Sequence, residues 1–193
     1  ASLDSTGVKI HGQGEWNRKK HSQKDRRQWV KMHLIIDNDT MQILGAEATA
    51  DDVHDCEVFD QLIDTLPNKI NKVLGDGAYD TLGTHKKSLD NEIELVALPR
   101  GNAVADLKST KPHILRRNEH VLQYKEKGIY AWANKYGYWN RNRVESTMSR
   151  FKTTFSGSLS SRKVESQKNE IMYKCKILNM FAELTLPSLG NVA

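Results

Sequence analysis

The sequence lacks any long hydrophobic run, and this argues against a membrane-spanning helix. Such a helix needs about 20 consecutive apolar residues, whereas the hydrophobic 38% of this 193-residue chain is dispersed along its length. The sequence has no charged segment followed by an apolar stretch, so it gives no indication of a signal peptide. A chain of this length can bury one sizeable core. We therefore predict a soluble intracellular protein in which residues 1–193 form one domain.

Cysteine is also scarce. Cys56 and Cys175 are far apart in the chain, and neither has the paired spacing of a zinc site. We therefore expect no disulfide framework and interpret both residues as reduced side chains of the core.

Acidic residues are strongly outnumbered by basic residues in two segments. Residues 18–27 carry six basic and one acidic residue, a net charge of +5, and residues 100–152 carry twelve and four, a net charge of +8. Residues 28–99, which lie between them, carry five basic and fourteen acidic residues, a net charge of −9. This segregation is typical of a protein that lays basic surface on a polyanion and keeps its carboxylates elsewhere, although a generally soluble basic protein remains an alternative.

Three strands are predicted near the start of the chain. Alternating residues around 8–10 continue a strand that carries Asp4, residues 29–36 form a nearly continuous apolar strand, and residues 43–49 form a third. Short connections between consecutive strands predict an antiparallel meander. Residues 12–27 are then the exposed tip of a hairpin. The basic side chains of that tip are candidate DNA contacts, namely Lys19, Lys20, Arg26 and Arg27.

A strand-helix-strand unit follows, with an acid at the end of its first strand. The apolar strand that begins at Lys72 ends in Gly75-Asp76-Gly77, which predicts that Asp76 projects from the edge of a sheet. A helix over 82–91 and a strand over 93–98 complete the unit. Asp76 as a helix cap is the alternative, but we interpret Asp80 as the better cap. Before this unit, we interpret the acids at 51, 52 and 55 as caps of a helix that ends at Pro67.

The most informative stretch is 138–152. At about 100° per residue, Tyr138, Arg141, Glu145, Met148 and Lys152 fall within about 80° of one another on a helix. The ordinary interpretation of a glutamate beside arginine and lysine is a salt-bridged surface. A neighbouring apolar stripe, which includes positions 144 and 151, predicts a buried face that aims the polar face outward.

The remaining segments are a basic region and a terminal helix. Periodicity weakens over 99–135, which we interpret as a basic insertion or loop region. Residues 164–184 predict a helix that packs on the core through Ile171, Cys175, Leu178 and Ala182.

Three acids that are distant in sequence stand out by position: Asp4, Asp76 and Glu145. The predicted element order is that of an α/β protein with a ribonuclease H-like mixed sheet, which contains an antiparallel meander and is flanked by helices. That fold can bring the three acids together. Three carboxylates can hold two Mg²⁺ ions for phosphodiester chemistry, because hard cations prefer oxygen ligands.

The chain resembles the catalytic domain of bacterial insertion-sequence DDE transposases, in the insertion-sequence-five group of the insertion-sequence-four-like class. Asp4-Ser5-Thr6-Gly7 is similar to the family's first-aspartate motif, and Gly75-Asp76-Gly77-Ala78-Tyr79-Asp80 is similar to its second. The family signature Tyr-x₂-Arg-x₃-Glu-x₆-Lys is matched by Tyr138, Arg141, Glu145 and Lys152.

The resemblance implies a bacterial, cytoplasmic, nucleoid-associated enzyme that cleaves transposon ends and joins 3′-hydroxyl groups to target DNA. It implies that Asp4, Asp76 and Glu145 bind two Mg²⁺ ions, for which Mn²⁺ can substitute. It also implies that Arg141 and Lys152 contact DNA, that Tyr138 packs near it, and that the protein acts on double-stranded DNA as a homodimer.

Two alternatives stay open. The resemblance implies an N-terminal DNA-binding region before the first aspartate, whereas only three residues precede Asp4 in this sequence. The second hypothesis is therefore a catalytically inactive or domesticated DNA-binding remnant. A structure-selective nuclease of the same fold is a third.

Overall fold

The computed structural model describes residues 1–10, 29–67 and 70–185. The strands are β1 (Ser2–Ile10), β2 (Trp29–Ile36), β3 (Ile43–Ala50), β4 (Lys72–Gly75), β5 (Glu94–Ala97) and β6 (Ser158–Leu159). The helices are α1 (Phe59–Ile63), α2 (Leu82–Asp90), α3 (Pro112–Tyr136), α4 (Asn142–Thr154) and α5 (Val164–Thr185). Short 3₁₀ turns cover Asp55–Glu57, Gly77–Tyr79 and Tyr138–Arg141. No helix in these described ranges is long and apolar enough to cross a membrane.

The strands form one mixed sheet in the order β3-β2-β1-β4-β5, and β6 pairs with β1. The β1–β2 and β2–β3 pairs are antiparallel, whereas β4 runs parallel to both β1 and β5. The predicted meander and the predicted strand-helix-strand unit are both confirmed. Helices flank the sheet, so the α/β, ribonuclease H-like fold class is confirmed.

Both faces of the sheet are covered, which explains the nearly continuous apolar run of β2. Leu34 and Ile36 pack against α4 and α5, whereas Ile35 points to the opposite face and packs with Phe59 of α1. Because successive strand residues point to opposite faces, burial on both faces requires apolar residues at every position. β2 is therefore a central strand, as predicted.

Helix α5 confirms the predicted terminal helix and its packing face. Ile171, Cys175, Leu178 and Ala182 are all buried. Both cysteines are free thiols, with Cys175 buried and Cys56 half-buried.

The prediction of a loop over 99–135 is wrong for its larger part, because Pro112–Tyr136 is helical. The buried side of α3 includes the polar residues Asn118 and His120 as well as Val121 and Trp132, and these polar positions interrupt the apolar period in the sequence. Gly128 adopts non-helical angles, φ 76° and ψ 172°, and divides the helix. A kinked helix with polar residues on its packing face lacks the regular apolar repeat that predicts a helix.

Two further predictions need correction. The helix before Pro67 is shorter than expected, because only Phe59–Ile63 is α-helical and a 3₁₀ turn precedes it. The cap of α2 is Thr81, whose side chain accepts a hydrogen bond from the backbone of Thr84, and not Asp80. Threonine is also a favoured helix cap, and its use here leaves the Asp80 carboxylate to face the core.

Candidate active site

Asp4 and Asp76 lie side by side because of the parallel pairing of β1 and β4. Ser2 pairs with Leu74, and Asp4 and Asp76 each follow two residues later. Both aspartates therefore lie at the same level of the sheet. β4 ends at Gly75, where a Cβ atom would lie 3.0 Å from the ring of the fully buried Tyr79. The glycine lets the Tyr79 ring pack directly against the backbone just before Asp76.

The Asp4 carboxylate is mostly buried and has two partners of different kinds. Its Oδ1 accepts a hydrogen bond from the Ser5 backbone at 2.8 Å, and its Oδ2 lies 2.6 Å from Arg141 Nη1. Burial raises the pKa of Asp4 above its ordinary value, and the negative charge of Asp76 adds to the effect, whereas Ser5 and Arg141 oppose it. The carboxylate is therefore incompletely compensated in spite of its arginine partner.

Arg141 bridges two of the three candidate acids. Its guanidinium binds Asp4 through Nη1 and Glu145 through Nη2. Burial lowers the pKa of Arg141, but the interactions with Asp4, Tyr138 and Glu145 outweigh burial and raise the pKa overall. The ordinary interpretation of this helix face, a salt bridge between residues four apart, therefore describes Arg141 and Glu145 in this structure.

Lys152 does not join that salt bridge. Its Nζ donates a hydrogen bond to Thr6 Oγ1 at 2.5 Å, which ties α4 to β1. An open groove of about 510 Å³ lies between the two elements. Its lining consists of acids, hydroxyl groups and one lysine around a single methionine, namely Asp4, Ser5, Thr6, Glu145, Met148, Ser149, Lys152 and Thr153.

Glu145 faces this groove from α4, which is anchored as the sequence predicts. Val144 and Phe151 are fully buried on the core side of the helix, whereas about half of the Glu145 side chain is exposed. An apolar face that packs on the sheet sets the rotation of the helix. The polar face that carries Glu145 and Lys152 is thereby turned toward β1.

Asp76 forms a local cap in addition to facing Asp4. Its Oδ1 accepts a hydrogen bond from the Ala78 backbone at 2.9 Å, at the start of the Gly77–Tyr79 turn. The capping interpretation that we set aside is thus correct for this short turn.

Tyr138 is a buried residue that shares a 3₁₀ turn with Arg141 and lies outside the α-helix that carries Glu145. It lies in the 3₁₀ turn before α4, is 7% exposed, and its ring centroid lies 4.9 Å from that of Trp132. Burial raises its pKa to about 12. It packs under the site, within the aromatic cluster that it forms with α3. The other four predicted DNA contacts, Lys19, Lys20, Arg26 and Arg27, lie outside the described residues.

The three acids fit a hard divalent cation in chemistry, and Arg141 lies between two of them. Carboxylate oxygens are the ligands that Mg²⁺ prefers. In the described part of the chain, no three acidic, histidine or cysteine side chains are close enough to hold one ion together. The guanidinium group of Arg141 contacts Asp4 and Glu145. The space between these two carboxylates therefore accommodates a positive charge. In this structure Arg141 therefore occupies carboxylate oxygens that metal binding by all three acids would use.

Sequence reasoning missed a second polar cluster beside the site. Asp80 is buried and receives two hydrogen bonds from Arg117, at 2.7 and 2.8 Å, while His85 Nε2 lies 3.2 Å from its Oδ1. The pair ties the turn after Asp76 to α3. Asp80 stands four residues after Asp76 in the same motif, but its arginine partner is 37 residues away, and only the fold identifies it.

Comparison with known proteins gives one result about the family. A family model described as transposase DDE domain matches residues 1–180. The match is to the family as a whole, and membership of the insertion-sequence-five group stays a prediction. No solved structure matches the chain.

Proposed function

Since the chain belongs to the family of transposase DDE domains, we propose that it cuts DNA at the ends of a mobile element and joins the 3′-hydroxyl groups to target DNA. The proposal includes a dependence on Mg²⁺, for which Mn²⁺ can substitute. One observation carries it: Asp4 and Asp76 lie at the same level of neighbouring strands, and Glu145 faces Asp4 across Arg141.

In this proposal Asp4, Asp76 and Glu145 hold two divalent ions. When bound, such ions activate a water molecule or a 3′-hydroxyl group and stabilise the leaving oxygen. The incomplete compensation of Asp4 supports this role, because burial and Asp76 disfavour its charge in spite of the contact with Arg141. A second source of positive charge would lower that cost.

Arg141 and Lys152 then bind the phosphate groups of DNA. Both are held by groups at the edge of the groove, Arg141 by carboxylates and Lys152 by the Thr6 hydroxyl. An arginine that loses its carboxylates to metal ions can form charge-assisted hydrogen bonds to a phosphate. Tyr138 supports Arg141 from the aromatic cluster beneath. The basic side chains of Lys19, Lys20, Arg26 and Arg27 contact the backbone of the double helix further away.

The test is Glu145→Gln, which keeps the size of the side chain and removes its charge. We expect nicking of DNA that carries the element's ends, in Mg²⁺ or Mn²⁺, to fall at least roughly a hundredfold. Mn²⁺ binding, measured from the spin-resonance signal of the free ion, should weaken as well. Glu126→Gln, which changes an exposed acid of α3, is the matched control and should leave both unchanged. Undiminished nicking by Glu145→Gln would contradict the proposal.

A non-catalytic DNA-binding derivative is the second candidate, and the Arg141 bridge is the observation that favours it. A guanidinium held by Asp4 and Glu145 competes with metal ions for the same carboxylates. Such a derivative binds DNA with a steep salt dependence but takes up no Mn²⁺ at the acids. Saturable Mn²⁺ binding by the unaltered chain would exclude it.

A further inference from the structure

Arg100 lies beside the turn that carries Asp76, just beyond the carboxyl ends of two parallel strands. Gly75 of β4 pairs with Ala97 of β5, so the chain leaves both strands at the same edge of the sheet. Asp76 follows Gly75 directly, and Arg100 follows Ala97 by three residues. In open α/β sheets, ligands bind in the crevice outside the carboxyl ends of parallel strands. Arg100 is therefore placed where a ligand of the candidate active site passes.

The Arg100 side chain is fixed to this turn. Its Nε donates a hydrogen bond to the Gly77 carbonyl oxygen at 2.9 Å. A Cβ atom at Gly77 would lie 3.2 Å from the Leu98 carbonyl oxygen and 3.7 Å from Arg100 Cγ, so the glycine lets the turn approach the arginine stem closely. The Arg100 carbonyl oxygen also accepts a hydrogen bond from the Ala103 backbone at 2.8 Å. A side chain that is already held loses less conformational entropy when it binds a ligand.

The terminal nitrogens of Arg100 have no partner in the part of the chain that the structure describes. The bond to Gly77 is the only hydrogen bond of its side chain there, and the side chain is exposed to solvent. Arg117 and Arg141, by contrast, both contact carboxylates. The N–H groups of both Nη atoms of Arg100 are therefore available to a ligand.

The order of the strands places Arg100 on the far side of Asp76 from Asp4. β4 lies between β1 and β5, so Asp4, Asp76 and Arg100 follow one another across the sheet. Lys152 is the cation on the β1 side, where it bonds to Thr6. Among the residues that the structure describes, Asp76 forms no ion pair and accepts a backbone hydrogen bond. The two neighbouring acids therefore have a lysine on one side and an arginine on the other.

We propose that Arg100 binds a phosphate group of the DNA strand that is cut, through the N–H groups of its two Nη atoms. Arginine suits this role because its planar, permanently charged fork matches two oxygens of a phosphate. Arg100 and Lys152 then hold the strand on both sides of the acids, so that the phosphate between them lies against Asp4 and Asp76. The identity of the ligand rests on the function proposed above.

Binding of a fluorescent duplex that carries an element end tests this contact without requiring cleavage. In buffer with EDTA, Arg100→Gln should weaken binding roughly fivefold at about 0.1 M salt. It should also reduce the slope of log affinity against log salt by about one, because one phosphate contact is lost. Arg100→Lys keeps the charge and should retain the slope. Arg116→Gln is the matched control, since this exposed arginine lies in a pocket with Asn71, at the opposite end of β4.

Nicking of the same duplex in Mg²⁺ tests the position of the contact. At saturating protein Arg100→Gln should slow nicking roughly tenfold, because the strand is held less accurately, and Arg100→Lys should recover part of the rate. Circular dichroism checks that each variant is folded. Binding with the expected slopes but without nicking by the unaltered chain would contradict the catalytic proposal and support this one.

Four results would each overturn the role of Arg100. They are an unaltered affinity and salt slope in Arg100→Gln, an equal loss in Arg116→Gln, a slope that Arg100→Lys does not retain, and normal nicking with a loss only in the joining of ends to target DNA. The last result would assign Arg100 to the target strand instead of the strand that is cut.

Discussion

The two arginine–carboxylate clusters of this protein use the same groups but differ in how fully the acid is compensated. Asp80 receives two bonds from Arg117 and has His85 beside it, and its side chain is 1% exposed. Burial raises its pKa, but His85 and Arg117 outweigh burial and lower it overall. Asp4 receives one bond from an arginine that it shares with Glu145, and its pKa is raised.

This difference in compensation distinguishes the Asp80 cluster, an ion pair that stabilises the fold, from the Asp4 cluster, which is a candidate binding site. The Asp80 carboxylate gains more from its partners than it loses by leaving water, so its charge belongs to the folded state. The folded state disfavours the ionised form of Asp4, as its raised pKa indicates. The Asp4 side chain also lines an open groove. Perturbed acids in a cleft are candidates for function, whereas buried and fully paired acids are candidates for structure.

The largest effect should come from breaking the buried cluster. Arg117→Met leaves Asp80 buried without its cation, and we expect the free energy of unfolding to fall by about 3–5 kcal/mol. Urea unfolding followed by circular dichroism measures the change. Arg116→Met, at the exposed neighbouring position, should alter stability by less than about 0.5 kcal/mol. Equal losses from the two variants would contradict the distinction between the clusters.

A smaller effect should appear in the pH dependence of stability. The pKa of Asp80 is lowered by folding, so its contribution is present above the ordinary value of 3.8 and is lost as the pH falls through the folded pKa. Asp80→Asn removes that titration. Below pH 3.8 its free energy of unfolding should therefore fall less steeply than that of the unaltered chain, by up to about 1.4 kcal/mol per pH unit. Urea unfolding at a series of pH values measures both slopes, and identical slopes would exclude the assignment.

The smallest effect should come from Asp4, with the opposite sign. Because folding raises the pKa of Asp4, its ionised form opposes folding near neutral pH. Asp4→Asn should leave stability unchanged or increase it by up to about 1 kcal/mol, although it removes a proposed metal ligand. The same unfolding measurement at neutral pH gives the result. A loss of more than about 1 kcal/mol would place Asp4 with Asp80 among the residues that stabilise the fold.

Local patterns in the sequence predict most of the secondary structure of this protein. The nearly continuous apolar run of β2 indicates a strand buried on both faces, and the repeat from Ile171 to Ala182 indicates the inner face of α5. The same patterns fail at α3, where Asn118 and His120 occupy buried positions and Gly128 interrupts the helix. A buried polar residue has the same appearance in a sequence as an exposed one, because its partners lie elsewhere in the chain.

The three acids and the spacing from Tyr138 to Lys152 were determined by the sequence alone, since they are matters of residue identity and order. Only the tertiary structure decided which charges meet. The parallel register of β1 and β4 places Asp4 beside Asp76. The packing of α4 brings Lys152 to Thr6, and the 3₁₀ turn before α4 brings Arg141 to Asp4. Electrostatic interactions depend on distance and burial, and both are set by how distant segments pack against one another.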